Sequence, residues 1–216
     1  QFMADVKADR YFNLVDPSTK EKTSKVRAKS LFDLIVNTAW RTGDPGLVFV
    51  DEINKNNSTP EAGTIEATNP CGELPLLPFE SCNLASINLS KLVSNGMLNW
   101  DKLQDRINWG IRFLDNVIDV NKYPLSPIRE MTLSNRKIGL GVMGYADMLI
   151  QLGIPYNSEE AVKLAKKLMR FIYNHSIETS VQLAQQRGVF PNYEKSIYVR
   201  QNMKLRNATV NTIAPT

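Results

Sequence analysis

Asn69-Pro70-Cys71-Gly72-Glu73 sets an amide, a thiol and a carboxylate on alternate positions of one short stretch. Pro70 fixes φ ahead of the thiol, and Gly72 behind it permits a tight bend or a close backbone approach. If alternation holds, Asn69 and Glu73 face the same side as Cys71. Such a trio suits thiol chemistry on a hydroxylated substrate. The carboxylate accepts a hydroxyl proton, the amide holds the substrate, and the sulfur attacks. A second thiol, Cys82, follows in Phe79-Glu80-Ser81-Cys82-Asn83-Leu84-Ala85-Ser86-Ile87-Asn88-Leu89, and these are the only 2 cysteines in the chain. From the residues alone other readings stay open. Cys71 can be an inert structural thiol, the commoner fate of a lone cysteine. The spacing is unlike a zinc ribbon and the single histidine, His175, is far along the chain, so a metal site is not expected. A Cys71–Cys82 disulfide is open, although a reducing compartment would not keep it. A thiol–disulfide oxidoreductase using both lacks the Cys-x-x-Cys spacing.

The run from Asn69 to Leu89 resembles the catalytic finger loop of the ribonucleotide reductase large subunit, most of all in its adenosylcobalamin-dependent class. Further stretches match in order: Ala39 to Gly46, Asp51-Glu52-Ile53-Asn54, Arg136-Lys137-Ile138-Gly139-Leu140-Gly141-Val142-Met143-Gly144, Arg206-Asn207-Ala208-Thr209-Val210 and Ile213-Ala214-Pro215-Thr216. The resemblance implies that Cys71 carries a thiyl radical, Glu73 is the general base for the ribose 3′-OH, and Asn69 hydrogen-bonds the ribose hydroxyls. It makes Cys82 one half of a redox pair whose other cysteine lies outside this chain. Ala214, Pro215 and Thr216 begin a loop for the substrate phosphates. The implied fold is α/β, part of a ten-stranded barrel made of two five-stranded halves, with the Cys71 loop threading its centre. Residues 1–216 are then one partial catalytic barrel domain, truncated at both ends, whose parent is an enzyme and which is inactive alone. The implied cofactor is adenosylcobalamin, or else a radical supplied by a separate metal-containing subunit. The implied partners are a ribonucleoside di- or triphosphate, a thioredoxin-like dithiol reductant, nucleotide effectors and a second copy of the full-length chain.

Composition is compatible with this reading. Of 216 residues 43% are hydrophobic and 22% charged, with a formal charge of +4, as in an ordinary globular chain with a mild preference for anionic ligands. No basic stripe with interleaved aromatics suggests nucleic acid. No apolar run approaches the roughly 20 residues of a membrane span, and no signal peptide is evident. Two cysteines make no disulfide scaffold, so a cytoplasmic location is expected.

The elements that must position the thiols follow from periodicity. Residues 1–15 read as a short helix and a strand, with a turn at Asp16-Pro17-Ser18-Thr19. Val26 to Thr42 has helical spacing and is stopped by Gly43-Asp44-Pro45-Gly46. Leu47-Val48-Phe49-Val50 reads as a short buried strand, and Asp51 to Ala67 as a polar loop. Ser81 to Leu92 begins as a strand, and Asn95-Gly96 is a hairpin turn. Trp100, Leu103, Ile107, Ile111, Leu114, Val117 and Ile118 form one apolar helical stripe ending near Tyr123-Pro124, with Trp100 and Trp109 expected in the core. Gly139, Gly141 and Gly144 invite a dinucleotide-loop reading, but no βα turn with a distant acid supports it; close contact in a strand and loop is expected instead. Asn157-Ser158-Glu159-Glu160 starts a helix that runs to Gly188, long enough that a kink near His175 is open. His175 is assigned no role, and Lys163, Lys166 and Lys167 are read as a solvated face.

Overall fold

The computed structural model describes residues 1–214, and the chain divides into two compact units, Gln1–Phe49 and the part from Val50 onward. In the first unit α1 (Phe2–Lys7) is followed by the antiparallel pair β1 (Tyr11–Val15) and β2 (Lys22–Arg27). The turn between them forms because the Asp16 carboxylate accepts the Ser18 and Thr19 N–H groups at 2.7 and 2.9 Å. Helix α2 (Ala28–Thr42) then ends at Gly43 in the left-handed region, as Gly-Asp-Pro-Gly implied.

The expected strand at Leu47–Val50 does not form. Leu47, Val48 and Phe49 are about half exposed, and Val50 opens a helix, α3 (Val50–Lys55). A four-residue apolar run becomes a strand only where another strand offers its ladder, and none of the described strands pairs with it. Helix α3 also replaces the start of the expected Asp51–Ala67 loop. Asp51 and Glu52 in its first turn and Lys55 in its last complement the helix dipole. The rest of that stretch is irregular but ordered by asparagines: Asn54 Nδ2 donates to the Val50 and Ile65 carbonyls and its Oδ1 accepts the Ile65 N–H.

Two short strands follow, β3 (Ala67–Thr68) and β4 (Pro75–Leu76), paired antiparallel with Thr68 opposite Pro75. Strand β5 (Asn83–Asn88) leads through a 3₁₀ turn (Leu89–Leu92) to the hairpin of β6 (Val93–Ser94) and β7 (Met97–Leu98). Asn95 and Gly96 both have positive φ there, 52° and 70°, as a type I′ turn requires. Helix α4 (Trp100–Val120) is capped by Asn99 Oδ1, which accepts the Lys102 N–H at 2.8 Å. Helix α5 (Ser126–Asn135) precedes β8 (Ile138–Met143), α6 (Tyr145–Leu152) and α7 (Glu159–Arg187), and a 3₁₀ turn (Pro191–Lys195) follows. Helix α7 is continuous through His175, so the length is accommodated without a break.

The centre of the second unit is β8. It runs parallel to β5, in register from Asn83 opposite Ile138 to Asn88 opposite Met143. On its other flank it meets residues 209–212 through a parallel bridge between Leu140 and Asn211. Gly139 makes this possible, because a Cβ there would stand 2.6 Å from the side chains of both Leu84 and Thr212. The apolar face of α4 (Leu103, Ile107, Ile111, Leu114, Ile118) packs with Leu168, Ile172 and Leu183 of α7 and with Ile138 and Leu140 of β8 in one buried cluster. Trp100 lies partly buried against this cluster, edge-on to Phe171. Trp109 does not join it and is 67% exposed. It lies two residues past Ile107, roughly 200° around the helix, on the polar face. Lys163, Lys166 and Lys167 are exposed, as expected of a solvated face, and Lys167 Nζ also lies over the Trp100 ring, 4.8 Å from its centroid. Among the described residues the strands form four two-stranded pairs, and no sheet closes.

Candidate active site

The Asn69–Glu73 stretch lies in the connection 69–74 between β3 and β4, so the hairpin projects it as a loop. The Gly72 N–H donates to the Asn69 carbonyl at 3.0 Å, closing a turn over Pro70 and Cys71, and Gly72 takes φ +84°. The turn removes the alternation on which the sequence expectation rested. Cys71 is exposed near the turn. Asn69 folds back, its Oδ1 accepting the Leu74 N–H at 3.0 Å. Glu73 turns inward, and its Oε2 is buried without a hydrogen-bond partner. The three groups thus sit on one loop in three different environments.

Glu73 and Cys82 do come together. Both line a cavity of about 100 Å³ whose walls include Leu74, Lys137, Asn211 and Thr212. Thr212 Oγ1 donates to the Glu73 carbonyl at 2.9 Å, so the segment leading to Ala214 is tied to the loop. Ala214 is partly buried, whereas Pro215 and Thr216 lie outside the described residues. Cys71 and Cys82 are both free thiols, which excludes a disulfide between them in this structure. Burial pushes the Cys82 thiol up to about 12, with Lys137 opposing the shift and Glu80 adding to it. Its Sγ donates to the Asn83 carbonyl at 3.5 Å.

Two buried charge clusters fix this wall, and sequence reasoning assigned neither. Lys137 Nζ lies 2.7 Å from Glu80 Oε2, with both side chains almost fully buried. Glu80 also accepts the Leu77 N–H at 2.8 Å and Asn135 Nδ2 at 2.6 Å. Further along, Asp115 of α4 is completely buried and gathers donors from four side chains: Arg136 Nη2 at 2.8 Å and Nε at 2.9 Å, Arg187 Nη1 at 2.9 Å, Asn207 Nδ2 at 3.0 Å and Arg206 Nε at 3.4 Å. Arg136 also bonds Asp119 and holds that carboxyl below the usual aspartate range. This hub locks α4, the entry to β8, the end of α7 and the entry to residues 209–212 against one another. One signal was available: Asp115 follows Leu114 inside an apolar stripe, where an acid needs partners. The His175 ring packs against Phe171, with centroids 4.2 Å apart, and its Nδ1 lies 2.8 Å from the Glu178 carboxylate. Among the described residues no group of three His, Cys, Asp or Glu is arranged to hold a metal ion, and no helix is long and apolar enough to cross a membrane.

The profile described as the barrel domain of ribonucleotide reductase matches residues 1–215. The chain belongs to that family. It is 52% identical over 209 residues to the vitamin B12-dependent ribonucleoside-diphosphate reductase of Thermoplasma acidophilum, covering 96% of this chain and 27% of that protein. The Mycobacterium tuberculosis protein of the same name is 49% identical over 215 residues, covering 100% of this chain and 31% of that protein. More distant is the ribonucleoside-diphosphate reductase subunit alpha of Chlamydia pneumoniae, 35% identical over 201 residues, 91% of this chain and 19% of that protein. The chain therefore spans less than a third of the length of these ribonucleotide reductase relatives.

Proposed function

We propose that this chain is the thiol-bearing part of a ribonucleotide reductase catalytic subunit, which converts ribonucleoside diphosphates to 2′-deoxyribonucleotides for DNA synthesis. The observation that carries the reading is the shared cavity of Glu73 and Cys82 beneath a loop that exposes Cys71, on a chain about half identical to two named reductases. In this reading the fold is completed to the ten-stranded α/β barrel by chain beyond residues 1–216, with β5, β8 and residues 209–212 as part of its wall.

The chemistry follows from what each group can exchange. Cys71, as a thiyl radical, takes the hydrogen from C3′, and Glu73 takes the 3′-OH proton. Buried Cys82, held as a thiol, gives its proton to the 2′ oxygen, which leaves as water. The second cysteine, outside this chain, gives its hydrogen atom to C2′, its sulfur closes a disulfide with the Cys82 thiolate, the extra electron of that pair passes to the 3′ ketone as Glu73 returns its proton to O3′, and Cys71 returns its hydrogen to C3′. A thioredoxin-like dithiol reopens the disulfide. Asn69 holds the ribose hydroxyls, and Ala214, Pro215 and Thr216 begin the phosphate loop, where backbone N–H groups suit an anion.

Adenosylcobalamin is the proposed radical source, on the names of two relatives about half identical to this chain. The cofactor supplies the first unpaired electron. What this chain offers it is the exposed Cys71 thiol. The 35% identity to a subunit alpha favours, as second reading, a radical delivered by a separate metal-containing subunit. Nucleotide effectors, a homodimer of the full-length chain and a cytoplasmic location belong to the same proposal. The test is an anaerobic assay of the full-length gene product with a ribonucleoside diphosphate and a dithiol. Deoxynucleotide formed only with adenosylcobalamin is the expected result. Product only with an added radical subunit selects the second reading. No product under either condition overturns both.

A further inference from the structure

The buried Glu80–Lys137 pair is unevenly matched. The Glu80 carboxylate accepts three hydrogen bonds, from the Leu77 N–H at 2.8 Å, Asn135 Nδ2 at 2.6 Å and Lys137 Nζ at 2.7 Å. The Lys137 ammonium carries three donors, and among the described residues its one hydrogen bond is that to Glu80. Its side chain is only 4% exposed. Two N–H groups are thus without an acceptor from the described chain, at a depth where polar groups are rarely left unmatched. Strand pairing brings one near. Strands β5 and β8 run parallel with Asn83 opposite Ile138, and one step back along both sets Cys82 beside Lys137 on the same face. Both line the cavity of about 100 Å³, where the remaining titratable side chain is Glu73. As a thiol, Cys82 is a weak acceptor, and its proton points to the Asn83 carbonyl. As a thiolate it is an anion, which is costly away from water unless a cation meets it. Lys137 is the one cation among the residues that line the cavity.

We propose that Lys137 is a positioning residue for Cys82, whose unmatched N–H groups take up the sulfur when it becomes a thiolate. This rests on the function proposed above, in which Cys82 gives its proton to the leaving 2′ oxygen and stays an anion until the disulfide closes. Glu80 keeps the ammonium in place meanwhile, because its two other donors hold the carboxylate still. Lys137 loses no proton and forms no covalent bond. Once the disulfide closes the sulfur is neutral, and the ammonium is left with Glu80 alone. The two charges act on the thiol in opposite directions: Lys137 favours the thiolate and Glu80 opposes it.

The test is the rate at which iodoacetamide alkylates Cys82 in the full-length gene product at about pH 9, followed site by site by mass spectrometry, because that rate reads the thiolate fraction. Lys137→Met should slow it about tenfold and Glu80→Gln should speed it about tenfold, one pKa unit each way. A wall that was merely loosened would label faster in both variants, and that result overturns the proposal. A rate that neither variant moves overturns it too. That is the outcome if a water in the neighbouring cavity of about 430 Å³, which Lys137 also borders, takes the unmatched N–H groups. If Lys137→Met does not fold around an unpaired Glu80, the double variant Glu80→Gln/Lys137→Met is compared with Glu80→Gln alone, and it should label about tenfold more slowly. Turnover is the second readout. In the anaerobic assay Lys137→Met should lower kcat about tenfold and leave KM for the ribonucleotide unchanged, and an unchanged kcat overturns the role whatever the labelling shows. A wild type that makes no deoxynucleotide sinks the enzyme reading itself. A wild type that turns over while the labelling rates fail to separate sinks this assignment alone.

Discussion

The two thiols of this chain sit 11 positions apart and live under opposite conditions. Cys71 is exposed near a turn closed by local hydrogen bonds from residues 69–74. Cys82 is partly buried, and its wall is fixed by charges drawn from distant parts of the chain. A loop thiol can be reached from outside, as a radical acceptor must be. A thiol shielded from solvent keeps its proton, as a donor to a leaving hydroxide must. On the proposed function the same side chain would serve two tasks because the fold gives it two environments.

The largest expected effect tests that division of labour. In the full-length gene product Cys71→Ser should reduce deoxynucleotide formation to the uncatalysed background. Cys82→Ser should still permit radical formation, seen by electron paramagnetic resonance, while sustained turnover stops. Normal multiple turnover of the Cys82 variant with a dithiol would erase the distinction.

Labelling sharpens the same comparison without a substrate. With Cys82 near 12, its thiolate fraction at pH 8.5 is about a thousandth of that of an ordinary cysteine. Iodoacetamide should therefore modify Cys82 about a thousandfold faster in urea than in the native protein, while Cys71 changes little. The sign for stability follows. Because the folded value is raised, the contribution of this thiol is complete below the ordinary cysteine range and is lost as pH climbs towards 12. Comparable native labelling of both cysteines at pH 8.5 would contradict the buried assignment.

Removing the distant charges should damage the cavity wall more than the loop. Asp115→Ala removes the buried carboxylate shared by Arg136, Arg187, Arg206 and Asn207, leaving Arg136 with Asp119 as its remaining carboxylate partner, and should cost about 3 kcal/mol in urea unfolding. A loss below about 1 kcal/mol would show that the hub is replaceable by water.

What could be read from the sequence was local. Periodicity predicts α4 and α7, Asn95-Gly96 predicts its turn, and the glycines of 139–144 stand at the close contacts expected of them. Short apolar runs misled: Leu47–Val50 had the composition of a strand but no partner, and Trp109 was assigned to the core by type although its angle from Ile107 put it outside. Helix α5 went unread because its apolar residues make no clear stripe. At the site, the residue types on the loop were legible, but alternation was the wrong geometry once Gly72 closed a turn. The pairs that shape the cavity join Glu80 to Lys137 across 57 positions, Asp115 to Asn207 across 92 and Asn211 to Ser176 across 35. No spacing rule in a single sequence reaches that far.

The smallest expected effect bears on the loop itself. Gly72 has φ +84°, and a Cβ built there meets nothing within 4 Å. Gly72→Ala is therefore strained by backbone conformation alone, at about 1–2 kcal/mol. Because that strain falls on a turn held by a few exposed hydrogen bonds, the loop should relax locally and the global unfolding midpoint should move little. The readout that should move is the position of Cys71: hydrogen exchange over residues 69–74 should speed up, and activity should fall while Cys82 labelling stays slow. If Gly72→Ala instead released Cys82 to labelling, loop and cavity would be one cooperative unit, and the contrast between the two thiols would be one of exposure only.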